Sequence, residues 1–381
     1  MNLLGLATRL ATKLCYAQTQ AVLGWFLLQS PSTEVIEQAV LGLGRRTGEW
    51  FQSAPPPEGD GEVLVAQFDS KASPTATDEE LRRRRGKRRR KKRARSPRHR
   101  GRERRARYGS KPRREKGDKS KNGKAATMVV MYTLKRSGRH LLGPINRWVY
   151  ASFAPKRHAF EIARREADKR GFTANSGKLI QIVTDGDDDL ALYAKEHFPG
   201  AVHTLDVMHA LEYLWEAGAC LHREGSDGLK LWMEEQKKRV YEGKIRVVLT
   251  ELKERLLAIP MTGPGNKGKR ERLAGAIGYL GKRVHQMNYD YLLATDLEVG
   301  SGAVEGAIKN IIGARFDMGG MRWIRERAEA LLQLRCIEMN GDWDRFIEHV
   351  HEDLLQAQQR GSRVRLQHAT PAQLPSLAEA A

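Results

Sequence analysis

Glu305 is the residue whose neighbours in the sequence point most clearly to chemistry. It stands within residues 300–310, where Gly302, Ala303 and Gly306 are too small to shield a carboxylate and leave open space around it. An acid presented in this way can contact a hard metal ion and a bulky substrate together. The sequence therefore nominates Glu305 as a catalytic or metal-binding carboxylate.

An apolar periodicity predicts that Glu305 lies near the start of a helix. Residues at helical spacing would bury one face of that helix, namely Val304, Ile308, Ile311 and Ile312. Ser301 stands where an N-cap side chain is expected. One alternative remains open, in which Glu305 forms an ordinary i, i+4 ion pair with Lys309 on a surface helix.

Two aspartates follow segments with the composition of strands. Residues 62–68 predict a strand that stops at Asp69, and the continuous apolar run 178–184 predicts a buried strand that leads into Asp185. The three acids at 187–189 compete with Asp185, but acids there also suit the N-terminus of a helix. We therefore expect both Asp69 and Asp185 at the ends of strands.

Two strand-end aspartates and one helix glutamate are what a two-metal site for phosphoryl transfer requires. We predict that Asp69, Asp185 and Glu305 bind two Mg²⁺ ions about 4 Å apart, for which Mn²⁺ can substitute. Such a pair of ions activates the attacking oxygen and stabilises the leaving one. Because the three acids are distant in sequence, one sheet must bring them together.

The pattern along the chain predicts the elements of that sheet. In order they are strands at 62–68, 127–134 and 147–153, a helix at 156–170, a strand at 178–184, a helix at 188–197, a strand at 201–205 and a helix from Asp206 through 221. Strands that alternate with helices after an initial run of strands predict an α/β domain with a mixed sheet and flanking helices.

Helical patterns surround this core. We divide the chain into a small helical module at 1–52, a first part of the core at 53–224, an all-α insertion at 225–292, C-terminal core helices at 293–359 and a flexible tail at 360–381. The module suits a helix-turn-helix or three ordinary amphipathic helices, the first burying a face of Leu3, Leu6, Leu10 and Leu14. A C-terminal helix is predicted to open at residues 321–323 and to end at Asn340.

The charge of the chain lies almost entirely in one segment. Residues 82–124 hold 25 basic and three acidic residues, a net charge of +22 against +21 for the whole chain. A run this basic, with no apolar periodicity, is predicted to be disordered and to clamp the backbone of double-stranded DNA, whereas the alternative is a solvated tail or targeting signal.

Cysteine usage and hydropathy bear on the compartment. Cys15, Cys220 and Cys336 are far apart and odd in number, which argues against a disulfide framework. No stretch reaches the roughly 18 apolar residues that a membrane span needs. We expect a reduced, cytoplasmic protein without a membrane partner.

Several motifs resemble those of a known group, the bacterial insertion-sequence DDE transposases of the Kra type. They are Phe-Asp-Ser-Lys at 68–71, Thr-Asp-Gly-Asp at 184–187, Leu-Asp-Val-Met-His at 205–209, Ser-Gly-Ala-Val-Glu-Gly at 301–306 and Gly-Met-Arg-Trp at 320–323. The resemblance implies an RNase H-like core, with Asp69, Asp185 and Glu305 as its metal-binding triad. It also implies an accessory role for Asp206 and His209 in the wall of the active site, although a local hydrogen bond would explain His209 equally well.

Two residues after Glu305 are candidates for contact with DNA. Arg322 could reach a phosphate or form a structural salt bridge, and Trp323, like Trp215 and Trp232, is more typical of a core anchor than of a base-stacking platform. The expected function is metal-dependent cleavage at transposon ends followed by strand transfer, by a homo-oligomer on DNA in the bacterial nucleoid. The alternatives are an RNase H-like nuclease and an inactive nucleic-acid-binding remnant of a transposase.

Overall fold

A five-stranded sheet forms the centre of the chain. The computed structural model describes residues 3–76, 82, 124–317 and 323–359. The strands are β1 (Val63–Ser73), β2 (Thr75–Ala76), β3 (Lys124–Ser137), β4 (His140–Ser152), β5 (Leu179–Thr184), β6 (Val202–Leu205) and β7 (Trp323–Ile324). The order in the large sheet is β4-β3-β1-β5-β6, while β2 and β7 form a separate two-stranded ladder.

Helices precede, cover and interrupt the sheet. They are α1 (Leu3–Lys13), α2 (Tyr16–Gly24), α3 (Thr33–Gly44), α4 (Thr47–Ser53), α5 (Lys156–Lys169), α6 (Asp188–His197), α7 (Val207–Leu221), α8 (Asp227–Tyr241), α9 (Ile245–Ala258), α10 (Asn266–Lys282), α11 (Tyr289–Ala294), α12 (Gly302–Ala307), α13 (Ala314–Phe316), α14 (Arg325–Met339) and α15 (Trp343–Gln359). The segment Ile308–Gly313, between α12 and α13, has π-helical bonding. Of the helices that the structure describes, none is both long and apolar enough to cross a membrane.

The sheet is mixed, as the sequence predicts. Strand β1 pairs in parallel with β5, and β5 in parallel with β6, whereas β3 runs antiparallel to both β1 and β4. Four of the five strands therefore point the same way, and β3 alone is reversed. The predicted order of three strands, helix, strand, helix, strand, helix is confirmed, so the chain is an α/β protein.

Both faces of the sheet are covered, which explains the apolar strands. On one face the ring of Phe68 in β1 stacks on Phe160 of α5, with their centroids 3.8 Å apart. On the other face α12 packs on β1 and β3, and α14 packs on β4. A strand that is covered on both faces reads as a continuous apolar run, as β5 does.

The first strand continues beyond the point where the sequence ends it. Parallel pairing with β5 stops at Phe68, but antiparallel pairing with β3 continues to Ser73, opposite Lys124. Backbone hydrogen bonds to one neighbour hold the polar residues after Phe68 in the strand, so the expectation of a strand end at Asp69 is wrong. Asp69 lies instead where β1 leaves β5.

The N-terminal helices bury a different face from the one predicted. Leu3 and Leu6 of α1 are 43% and 40% exposed, while Ala7 and Ala11 are fully buried. Helix α1 packs on α3 and α14. Helices α3 and α14 approach each other so closely that a Cβ at Gly44 of α3 would lie 2.4 Å from the Cβ of Ala330 in α14. Close packing of this kind selects small side chains. Helix α4 was not predicted.

The C-terminal helix begins later than the sequence indicates. Trp323 and Ile324 pair in parallel with Thr75 and Ala76, and the Trp323 amide donates to the Pro74 carbonyl at 3.0 Å. Helix α14 therefore starts at Arg325, because the preceding residues are held in a short strand. The predicted end is confirmed, with Asn340 as C-cap and Gly341 at φ +78°.

Residues 225–292 fold as helices α8 to α11 with a short 3₁₀ turn (Val284–Gln286), as the all-α prediction requires. Within this insertion α9 packs on α10, and α10 packs on α7 of the core. Most of the basic run and the tail at 360–381 lie outside the described residues. The three cysteines are free, and Cys220 and Cys336 are buried.

Candidate active site

Asp69 and Asp185 lie side by side where β1 and β5 separate. Phe68 and Thr184 are register partners in the parallel ladder, and the two aspartates are the next residue of each chain segment. Register partners on neighbouring strands share a face, and such strands lie about 4.8 Å apart. The structure therefore brings these two predicted acids together.

Gln67 brings the helix of Glu305 to the same place. Its side-chain amide donates to the Gly300 carbonyl at 3.3 Å, and its carbonyl oxygen accepts from the Val304 amide at 3.1 Å. Gln67 precedes Asp69 by two residues in β1, so both side chains face α12. Two hydrogen bonds from one buried side chain thus fix the start of α12 beside Asp69.

A second buried glutamine holds the segment that leads into α12. The side chain of Gln181 in β5 accepts from the Glu298 amide at 3.0 Å and donates to the Glu298 carbonyl at 2.7 Å. Sequence reasoning missed both glutamines. The available signal was a single polar residue inside each apolar strand, since a buried amide requires partners.

Ser301 stands at the N-cap position of α12, as predicted, but its side chain makes no capping hydrogen bond. Its hydroxyl donates to Oδ2 of Asp206 at 2.5 Å and lies 3.4 Å from Oε1 of Glu305. Asp206 is fully buried, and its Oδ1 accepts from the Met208 amide at 2.9 Å as the N-cap of α7. The Ser301 hydroxyl thus bonds to Asp206 instead of to the backbone of α12. Asp206 thereby connects the start of α7 with the start of α12.

Burial and crowding raise the pKa of Asp69 to about 6. Burial is the largest cause, and the negative charges of Asp185 and Glu305 add to it, whereas the Ser70 amide and His209 lower the pKa. Asp69 therefore lies close enough to Asp185 and to Glu305 to be affected by both charges. A bound cation would relieve this repulsion.

The hydrogen bonds of the acids leave oxygens free for a ligand. Oδ1 of Asp185 accepts from the Asp187 amide at 2.9 Å, and Oδ1 of Asp69 accepts from the Ser70 amide at 2.5 Å. Neither Oδ2 accepts a hydrogen bond from any residue in the described part of the chain. Both acids thus keep an oxygen available.

Glu305 itself is partly open to solvent. Its side chain is 41% exposed, and Oε2 lies 4.0 Å from Nζ of Lys309, a lysine that is 76% exposed. The i, i+4 pair of the alternative interpretation is therefore present, although an exposed pair at that distance contributes little to stability. A Cβ at Gly302 or Gly306 would meet nothing within 4 Å, which confirms the predicted open space.

The acids that compete with Asp185 have structural roles. Asp187 is the N-cap of α6, where its side chain accepts from two backbone amides, and it pairs with Lys156 at 2.6 Å. Burial raises the pKa of Asp187, but the hydrogen bond and charge of Lys156 more than offset this, so the pKa is lowered overall. Asp188 pairs with Arg283. Asp185 remains the acid that faces Asp69.

His209 lines a cavity of about 330 Å³ that opens next to Asp185. Nδ1 of His209 lies 3.3 Å from Glu212, and Nε2 lies 4.0 Å from Asp206. His209 therefore lies near two acids that are close to it in sequence and in the wall of the cavity, and its accessory role stays a prediction. The further wall residues include Gly186, Tyr213, Glu216 and Tyr279.

The remaining candidates divide. Trp323 is 8% exposed and packs on Phe316 and on the guanidinium of Arg315, which favours the core interpretation. Trp215 is 46% exposed, so the core interpretation is wrong for it, because it lies on the outer face of α7. Arg322 lies outside the described residues.

The arrangement is a set of oxygen donors without a preformed metal cage. Within residues 3–76, 124–317 and 323–359, no group of three or more His, Cys, Asp and Glu side chains is arranged to hold a metal ion. No protein-family model matches this sequence, and a search of curated proteins finds no match either.

Proposed function

We propose that the chain is a DDE-type DNA transposase with an RNase H-like core, which cleaves the phosphodiester at transposon ends and transfers the freed strand into target DNA. The carrying observation is the register of Phe68 with Thr184, which sets Asp69 beside Asp185 under a helix that carries Glu305.

The topology of the sheet supports this proposal. Three consecutive strands joined antiparallel are followed by two parallel strands, with helices on both faces. This is the mixed sheet expected of an RNase H-like core. The all-α insertion at 225–292, which precedes Glu305, favours a transposase over an RNase H-like nuclease.

The donor set suits a hard divalent cation. Carboxylate oxygens are the ligands that Mg²⁺ prefers, and the pKa of Asp69 is raised chiefly by burial and further by the charges of Asp185 and Glu305. When bound, Mg²⁺ would supply charge stabilisation at the attacking and leaving oxygens. Asp69, Asp185 and Glu305 would hold it, while Gln67 and Gln181 fix the relative positions of the strands and α12.

The position of the basic run supports DNA as the substrate. Ala76 precedes the basic run and follows the part of β1 that lies beyond Asp69. Lys124, the last residue of the run, begins β3, and its amide donates to Oγ1 of Thr75 at 3.0 Å. The segment that carries a net charge of +22 is therefore joined to the sheet at the ends of β1 and β3 that lie beyond Asp69. Positive charge there would attract the phosphate backbone.

The test is Mg²⁺-dependent cleavage of duplexes made from the DNA that flanks the coding region. Asp185→Asn and Glu305→Gln should each lower the cleavage rate at least 100-fold while leaving duplex affinity unchanged or slightly higher, since a negative charge near phosphate is lost. Glu254→Gln, an exposed glutamate on α9, is the matched control.

The outcomes separate the competing functions. Cleavage that survives in both triad variants would overturn the proposed mechanism. Cleavage of an RNA–DNA hybrid but not of the duplex would indicate a nuclease. Metal-independent binding with no cleavage would indicate an inactive remnant.

A further inference from the structure

The all-α insertion reaches the loop that carries Asp185. The hydroxyl of Tyr279, in the last turn of α10, donates to the Asp185 carbonyl at 2.8 Å. The guanidinium of Arg283 donates through Nη2 to the Gly186 carbonyl at 2.5 Å and to Oδ1 of Asp188 at 2.5 Å. Two side chains of the insertion thus hold the loop between β5 and α6 at three points.

These two side chains are themselves fixed. The ring of Tyr279 stacks on Tyr213 of α7, with centroids 3.6 Å apart and planes at 11°. The Arg283 guanidinium lies 4.0 Å from the centre of the Tyr279 ring, and Nη1 donates to the Tyr279 carbonyl at 3.0 Å. Arg283 is only 6% exposed. Tyr279 and Arg283 are therefore held by contacts with each other and with Tyr213.

Gly186 fits this contact closely. Its φ is +82°, in the region that favours glycine, and a Cβ built there would lie 2.1 Å from the Tyr279 hydroxyl. Any larger residue would displace Tyr279 from the Asp185 carbonyl. The loop and the tyrosine are thus matched in shape as well as in hydrogen bonding.

The insertion also holds the neighbouring strand. The hydroxyl of Tyr289, a fully buried residue of α11, donates to the Leu205 carbonyl at the end of β6 at 2.9 Å. Backbone carbonyls at the ends of β5 and β6 thus each accept a hydrogen bond from a tyrosine of the insertion. These two bonds fix the position of the insertion relative to the sheet.

We propose that Tyr279 and Arg283 are positioning residues, through which the insertion sets the place of the Asp185 carboxylate beside Asp69. This inference rests on the proposed function. Both residues act on the backbone of Asp185 and Gly186 rather than on the substrate. Partners that orient metal-binding residues typically change activity or metal affinity by 10- to 100-fold when they are removed.

The experiment compares Tyr279→Phe with Tyr291→Phe, a 50% exposed tyrosine of α11, in the full-length protein. Hydrogen exchange of the Asp187 and Leu190 amides reports on the loop, because both bond to side chains within it. Cleavage rate at saturating flanking duplex and duplex affinity are measured alongside. Tyr279→Phe should speed exchange at these amides and lower the cleavage rate about 10-fold at unchanged affinity, while Tyr291→Phe should change neither.

Each result decides one claim. Unchanged exchange at both amides in Tyr279→Phe would overturn the positioning role. An unchanged cleavage rate, in a protein whose wild type cleaves, would overturn it as well. If the wild type does not cleave, the proposed function fails, and the exchange result alone then decides whether the insertion holds the loop.

Discussion

At the scale of single residues, the central feature is Asp69, whose surroundings disfavour the ionised form of its carboxyl group. Asp69 stands in a strand interior, close to two other carboxylates and to the face that α12 covers. Its raised pKa means that the folded protein binds the proton more tightly than the unfolded chain does. The contribution of Asp69 to the free energy of unfolding is therefore largest below its unfolded pKa of about 4. That contribution is lost as the pH rises through about 6.

Asp69→Asn should stabilise the protein in a pH-dependent way. At pH 8 the substitution removes a half-buried charge that two acids repel, so we expect the Tm to rise by about 2–4 °C. At pH 4 Asp69 is protonated, and the gain should vanish. Thermal unfolding of wild type, Asp69→Asn and Glu254→Gln at both pH values checks this. A gain that is equal at the two pH values would show that the charge of Asp69 is not its source.

At the scale of elements, side-chain amides join the sheet to the segment before α12. Gln67 and Gln181 stand in neighbouring strands and bond to the backbone on either side of Val299. The tyrosine hydroxyl of Tyr132 adds a third contact, to Glu298 at 2.8 Å. Glu305 is thereby placed by hydrogen bonds to the backbone rather than by apolar packing alone.

Gln67→Leu should destabilise the protein and impair cleavage together. The change leaves the Val304 amide and the Gly300 carbonyl without their partner, which costs about 2 kcal/mol. Because α12 is then free to shift, the cleavage rate should fall even where the variant is fully folded. Urea unfolding and cleavage assays measure the two effects, with Gln38→Leu, an exposed glutamine of α3, as control. A variant as active as wild type would show that Gln67 does not position Glu305.

The sequence predicts some of these features and not others, for physical reasons. Apolar runs predict β5 and the Asp185 that follows it, because burial on both faces leaves a clear pattern. The extension of β1 past Asp69 could not be predicted, since only pairing with β3 holds those polar residues in the strand. The partners of Gln67, Ser301 and Asp206 are distant in sequence, so no local pattern reveals them.

At the scale of the whole molecule, the net charge is concentrated in one segment of the sequence. The segment at 82–124 carries +22, so the remaining residues together carry about −1. The acids of the candidate site belong to this nearly neutral remainder. Affinity for DNA and cation binding would therefore reside in different parts of one chain, joined where β1 ends and β3 begins.

The central claim is that Asp69, Asp185 and Glu305 form one cation site. The most direct measurement is a titration of the DNA-free protein with Mn²⁺ at pH 8, where Asp69 is ionised. Electron paramagnetic resonance spectra recorded during the titration report the bound ions. We predict two bound ions per chain with a spin-coupled spectrum, as ions about 4 Å apart would give. Coupling should be lost in Asp69→Asn, Asp185→Asn and Glu305→Gln but kept in Glu254→Gln. Binding that is the same in wild type and in all three triad variants would contradict the account.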